Sequence, residues 1–209
     1  MNIVIDIRCL INKHRTGVGE YTSELLDALF NIDYADLEDY TELSYYSNQY
    51  FLFYNSWKDV SDVIPKWNKK NVHYVVTHFP NKIFNFLVWL KLIKLDRFVG
   101  GKWEVGSGKI DYWFSPNIDF INLSKSIKHI LTIHDLSYEF FKDCYSWKRR
   151  LWHMILRPKK QGERADIILT PSENTARDVV EHFGANQNKV KVLRPGLGSV
   201  FNNQQSTIK

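Results

Sequence analysis

The stretch Ile130-Leu131-Thr132-Ile133-His134-Asp135 constrains the fold more than any other. Its first four residues are aliphatic or β-branched and do not alternate with polar ones, the pattern of a strand covered on both faces in a parallel sheet. The run ends in a polar pair, so His134 and Asp135 stand at a carboxyl edge, where open α/β sheets bind ligands in the crevice. An imidazole there can give or take a proton near neutral pH, and the adjacent carboxylate can orient it or fix a loop. The same dipeptide also fits a strand end without chemistry.

Similar runs recur along the chain. Residues 2–7 predict a central strand, 49–54 and 72–77 a second and third, 110–115 another that ends in Pro116-Asn117, 165–169 one more, after the 130–133 run and before Thr170-Pro171, and 189–193 the last, broken by Pro195 and Gly196. Helical spacing lies between them. Residues 20–30 place Tyr21, Leu25, Leu26 and Leu29 on one stripe, and Ser172 is a good N-cap for a helix through Thr175, Val179 and Val180 that Gly184 stops, with Glu173 suiting the helix dipole. Strands alternating with helices predict an α/β fold, a Rossmann-like parallel sheet flanked by helices. With 209 residues, 44% of them hydrophobic, the chain can bury a full core.

Gly17-Val18-Gly19 opens the first helix. Glycines there let a ligand approach the backbone, and the free N–H groups with the helix dipole favour a phosphate. A dinucleotide fingerprint is a second reading, but the pattern runs Gly17-x-Gly19-x-x-Thr22, lacks the third glycine, and follows too long a loop. A glycine-containing turn with no ligand is a third.

The net charge of +5 is unevenly spread. Asp33, Asp36, Glu38, Asp39 and Glu42 stand in 31–48 with no Lys or Arg, so the remainder carries 5 minus −5, or +10, and favours anionic partners. That acidic stretch reads as a solvated loop or irregular helix. Residues 81–95 read as one strongly apolar helix that also carries Lys82, Lys91 and Lys94. It is too short and charged to span a bilayer, which takes about 20 apolar residues. Either it packs on the sheet with its lysines snorkelling, or it lies on a membrane surface with Phe86 and Trp89 in the interface and the lysines against acidic headgroups. Residues 99–109, with four glycines, read as a mobile loop. Residues 138–160 read as helical, with seven basic residues from Lys142 to Lys160 and Asp143 as the one acid among them. Such a face fits phosphate, nucleic acid or plain solvation; no nucleic-acid motif accompanies it, and no nucleic-acid partner is expected. Cys9 and Cys144 form no framework and have no metal-ligand spacing, so they read as packing residues in a reducing compartment. Asp6 and Arg8 interrupt what would be the apolar part of a signal peptide, and a cytoplasmic address, with peripheral contact at the inner membrane face as an option, follows.

Several segments, in order, resemble the amino-terminal half of a family 4 glycosyltransferase, the retaining, mannosyltransferase-like group with the GT-B fold. They are Ile5-Asp6-Ile7-Arg8 with Thr16-Gly17-Val18-Gly19-x-Tyr21, then Phe114-Ser115-Pro116, then Thr132 to Ser137, and then Arg164-Ala165-Asp166 with Ser172-Glu173-Asn174-Thr175 and the stretch from Val190 to Gly196. The resemblance implies a two-domain enzyme with its active site in the cleft between Rossmann-like halves. Residues 1–197 would be the acceptor-side half and 198–209 the start of the interdomain linker, with the donor-binding half absent. Transfer would keep the anomeric configuration and use neither metal nor cofactor, a nucleotide-sugar being the donor and a glycan or lipid-linked molecule the acceptor. Thr16, Gly17, Val18, Gly19 and Asp135 would face the donor diphosphate or sugar, and His134 the reacting sugar as the catalytic residue. Arg15, Tyr21, Ser115, Asn117, Ser172, Thr175 and Arg194 would lie toward the acceptor or the cleft edge.

The family's nucleotide-binding residues, its basic pair on the diphosphate and its two glutamates eight positions apart belong to the second half. Glu173 and Glu181 have that spacing but lie on the helix after Ser172, and the family role is not carried to them. The sequence Arg194-Pro195-Gly196-Leu197-Gly198 departs from relatives that place an acid after the glycine. Two functions stay open: half of a transferase acting on a lipid-linked or polysaccharide acceptor, and a free-standing module without catalysis of its own, either a subunit that completes a partner's active site or a domain that only holds an acceptor.

Overall fold

The computed structural model describes residues 1–31, 48–101 and 109–196. The acidic stretch at 32–47, the glycine-rich 102–108 and the tail from Leu197 onward lie outside the described residues.

Among the described residues seven strands form one sheet: β1 (Asn2–Asp6), β2 (Gln49–Asn55), β3 (Val72–Thr77), β4 (Tyr112–Ser115), β5 (Lys128–Thr132), β6 (Ile167–Thr170) and β7 (Val190–Val192). Their order is β3-β2-β1-β4-β5-β6-β7, and every pairing is parallel. The expected α/β architecture is therefore present. The chain runs outward from β1 to β3 and returns to place β4 beside β1, which makes the β1–β4 boundary the point where the strand order reverses.

Side chains that alternate across the pleat feed two layers. Val4, Phe51, Phe53, Val75 and Trp113 face one side, where they pack with Phe84 and Val88 of α2 (Asn81–Trp89) and Leu95 and Val99 of α3 (Leu95–Gly100). Ile5, Tyr50, Leu52, Tyr54 and Phe114 face the other, against Leu26 and Phe30 of α1 (Gly17–Asn31) and Trp67. Trp67 is fixed by its indole N–H, which donates to Asp27 of α1 at 2.6 Å. A third cluster joins Leu131, Ile133 and Ile168 to Val179 and Phe183 of α7 (Glu173–Phe183).

The single helix expected over 81–95 is two. α2 ends in a Schellman turn: the Lys91 N–H donates to Val88 O at 3.0 Å and the Leu92 N–H to Leu87 O at 3.0 Å, with Lys91 left-handed at φ 61°. Asn122 then holds the break, donating to Ile93 O at 2.7 Å and accepting from the Leu95 N–H at 2.8 Å. Val99 and Gly100, expected in a mobile loop, complete α3. Residues 138–160 are likewise divided among α4 (Ser137–Phe140), α5 (Trp147–Leu156) and α6 (Pro158–Arg164). Pro158 cannot continue α5 and disfavours the α-region at the preceding residue, so Arg157 turns left-handed at φ 51° and Pro158 begins α6. Cys144 is exposed, against the expectation of a packing residue.

Candidate functional site at the carboxyl edge of the sheet

The ends of β1, β4 and β5 and the amino terminus of α1 meet at one edge. Thr16 caps α1: its backbone carbonyl accepts from the Glu20 N–H at 2.9 Å and its hydroxyl from the Gly19 N–H at 3.3 Å. The first N–H groups, of Gly17 and Val18, have no intrahelical acceptor, as at any helix start, and remain for an anion. The two glycines differ in kind. A Cβ on Gly19 would meet the Cys9 carbonyl oxygen at 3.4 Å and the Arg15 Cβ at 3.6 Å, so Gly19 is set by close packing. A Cβ on Gly17 would meet nothing within 4 Å, and its φ is not positive, so neither packing nor conformation calls for glycine there.

His134 stands two residues beyond the end of β5, after Ile133. Its Nε2 lies 2.9 Å from Pro116 O, and since a carbonyl can only accept, Nε2 carries the proton. Its ring meets that of Tyr21 edge-on at 4.8 Å, which ties the imidazole to the second turn of α1. Burial lowers the His134 pKa, opposed by the bond to Pro116 and by Asp135. The neutral ring at pH 7 thus presents its Nδ1 lone pair as an acceptor, a disposition suited to a hydroxyl donor and unsuited to a general acid. Burial also raises the Tyr21 pKa, so that phenol stays protonated.

The other sequence candidates divide. Asp135 accepts through Oδ1 from the Ser137 N–H at 2.8 Å and from the Ser137 hydroxyl, which meets the Tyr145 hydroxyl at 2.6 Å. It fixes the turn into α4, the loop-holding alternative of the sequence reading. Asn117 lies in the loop beyond Pro116, where its side-chain amide donates to Ile118 O at 3.4 Å. Ser172 caps α7, accepting from the Thr175 N–H at 3.2 Å, and the Thr175 hydroxyl reaches His134 O at 3.5 Å. These two support the His134 backbone from behind. Arg15 donates to the Ser23 hydroxyl at 3.1 Å and lies 3.6 Å from Glu20, beside the glycine turn. Arg194 and Glu173 form an exposed pair at 2.8 Å. Ser115 is buried and turned away, its hydroxyl 3.1 Å from Nε2 of the buried His129.

A charged cluster at the same edge escaped the sequence reading. Arg8 is buried and clamps Asp6 with Nε at 2.9 Å from Oδ1 and Nη2 at 2.6 Å from Oδ2. Nη2 also donates to Phe120 O at 2.8 Å and lies 3.7 Å from Asp119, and Nη1 reaches Asn85 of α2 at 3.4 Å. Burial opposes the Arg8 charge, but the fields of Asp119 and Asp6 outweigh it and raise the pKa. Burial raises the Asp119 pKa against the pull of Arg8. The cluster ties the end of β1 to α2 and to the β4–β5 loop and so forms the floor at the strand reversal. Its signal was present as two charges two residues apart at the end of an apolar run.

Two grooves lie among the helices. One, of about 820 Å³, runs between α4, α5 and α6; the other, of about 380 Å³, lies between the end of α2 and the α5–α6 turn. Neither includes His134 or the glycine turn. Among the described residues no group of three His, Cys, Asp or Glu side chains has the arrangement to hold a metal ion.

Residues 109–197 match the model of the Glycosyltransferase Family 4 domain. The matched stretch holds β4 to β7, His134 and the capped α7; β1, the glycine turn and α1 precede it. Over it the chain is similar to a family 4 glycosyltransferase domain. No curated protein matches the chain.

Proposed function

We propose that this chain is the acceptor-side half of a retaining, metal-independent glycosyltransferase that moves a hexosyl unit from a nucleotide-sugar to a glycan or lipid-linked acceptor. The observation that carries the proposal is the 4.8 Å contact of Tyr21 with His134, which joins the glycine-led start of α1 to the imidazole at the end of β5. The family 4 similarity over residues 109–197 supports the same reading.

In this account the N–H groups of Gly17 and Val18 receive the donor diphosphate and stabilise charge as it leaves. Neutral His134, with Nε2–H engaged by Pro116, accepts a hydrogen bond at Nδ1 from a hydroxyl of the transferring sugar and fixes its orientation. Asp135, Ser172 and Thr175 hold the loop that carries His134, while Asn117, Arg15 and Tyr21 line the rim. Residues 1–197 form this half, and a second domain or partner subunit supplies the nucleotide contacts. The half alone therefore binds donor weakly and turns over little. Metal is not needed because charge development is met by backbone dipoles and cationic groups.

The test is sugar transfer by the natural gene product with chelator present, comparing the parent with His134→Ala. Loss of transfer by about two orders of magnitude, with donor binding largely kept, supports the proposal. Equal transfer by both proteins overturns the role of His134. Acceptor binding without transfer by either indicates a binding module.

A further inference from the structure

We propose that α2 and α5 together form a docking surface for a lipid bilayer rich in anionic headgroups. Buried Phe84 and Val88 attach α2 to the sheet, and the opposite face is apolar rather than polar: Ile83, Phe86, Trp89 and Leu90 are all exposed, with Leu92 just beyond at 70% exposure. Phe86 and Trp89 stand side by side, ring centres 5.9 Å apart. On α5 only Leu156 is fully buried, while Trp147, Leu151, Trp152 and Met154 are exposed, Trp147 at 68%. Exposed aromatic and aliphatic groups at this density mark an interaction surface.

The two faces are continuous. Arg157 and Lys160 line both grooves, the one that reaches Trp89 of α2 and Lys91 in the turn after it and the one that reaches Trp147, Leu151 and Met154 of α5. Trp152 also meets Phe120 edge-on at 4.9 Å, and Phe120 O binds the Arg8 that contacts α2.

Charge selects the occupant. Lys82, Lys91, Lys94, Lys148, Arg149, Arg157, Lys159 and Lys160 surround the apolar groups, and among the described residues none of them pairs with a carboxylate. Lys142 and Arg150 answer Glu139 and Asp143 in exposed pairs at 3.1 and 3.9 Å. Lysines and arginines rimming Trp, Phe and Leu suit a membrane interface, where rings settle at headgroup depth and cations meet acidic lipids. A second copy would bring a like-charged rim against this one. No helix among the described residues is long and apolar enough to cross a membrane, so the contact lies in the interface plane.

Vesicle flotation without any sugar donor tests this independently of catalysis. The chain is mixed with phosphatidylcholine vesicles and with phosphatidylcholine–phosphatidylglycerol vesicles, beside Phe86→Ser/Trp89→Ser and Lys91→Gln/Lys94→Gln proteins, whose changes touch exposed positions. Binding to the anionic vesicles alone is expected, falling about fivefold for each lysine neutralised and by at least about tenfold for the aromatic pair. Equal binding to neutral vesicles, no binding to either, or unchanged binding by both variants would overturn the proposal. So would a dimer in light scattering that the aromatic variant dissolves, which would assign the surface to a second copy.

Discussion

Acidification should destabilise this protein through the buried imidazole of His129. His129 sits on β5 with 1% of its surface exposed, its Nε2 3.1 Å from the Ser115 hydroxyl and its backbone N–H donating to Asp166 at 2.7 Å. Burial first, and then nearby Arg164, depress its pKa from 6.5 to about 3, with Asp166 opposing. Between those values the unfolded chain carries a proton on this ring that the folded protein refuses. Stability therefore rises with pH across the window, is fully present above about 6.5, and falls below it by about 1.4 kcal/mol per pH unit. At about pH 4.5, two units below, the loss reaches about 2.7 kcal/mol, a large part of the roughly 5 to 15 kcal/mol that holds an ordinary domain. The assay is urea unfolding near pH 7 and pH 4.5, on the parent and on His129→Leu. Both carry His134 and His153, whose pKa values burial also lowers, so their contributions cancel in the difference. The parent should lose about 2 to 3 kcal/mol more than the variant on acidification. Equal losses would refute the argument.

Other perturbations separate packing from ligand binding. Gly17→Val should leave the thermal midpoint nearly unchanged, since a Cβ there meets nothing within 4 Å, while weakening donor binding about tenfold in calorimetry on the complete enzyme. Gly19→Val should destabilise by about 1 to 3 kcal/mol in urea, because the Cys9 carbonyl lies 3.4 Å from the new Cβ and the branches need more room. Asp6→Ala removes the two-point clamp on a buried guanidinium, leaving it only Phe120 O, Asn85 and the more distant Asp119, and should cost about 3 to 5 kcal/mol of unfolding free energy, with Asp6→Asn costing less. Ser172→Ala removes the cap of α7 and should cost about 1 kcal/mol by the same measurement.

The parallel sheet was legible because two-sided burial writes itself as unbroken apolar runs, and 49–54 and 72–77 reappear as β2 and β3 almost residue for residue. Helix interruptions were harder to see. The turn at Lys91 is held by Asn122 of a distant loop, a tertiary bond that local spacing in 81–95 cannot show. At Arg157 the cue was local, a proline in the next position. His134 was legible through its place at a strand end, but its neutral form depends on burial and its tautomer on Pro116 from another strand's loop. Ser115 illustrates the opposite: its position at the end of β4 pointed to the cleft, yet the pleat turns its hydroxyl to His129. The Arg8 clamp went unread because Asp119 and Asn85, which complete it, lie far along the chain.

The most direct test of the account is an amide NMR titration of this chain with a panel of nucleotide-sugars at high concentration, a method that registers weak binding by a half-site. The account predicts shifts concentrated at Gly17, Val18 and Gly19 and at His134 and Asp135, reduced when Gly17 is replaced by Val. Shifts confined to other surfaces, or none with any donor while the spectrum reports a folded chain, would contradict it.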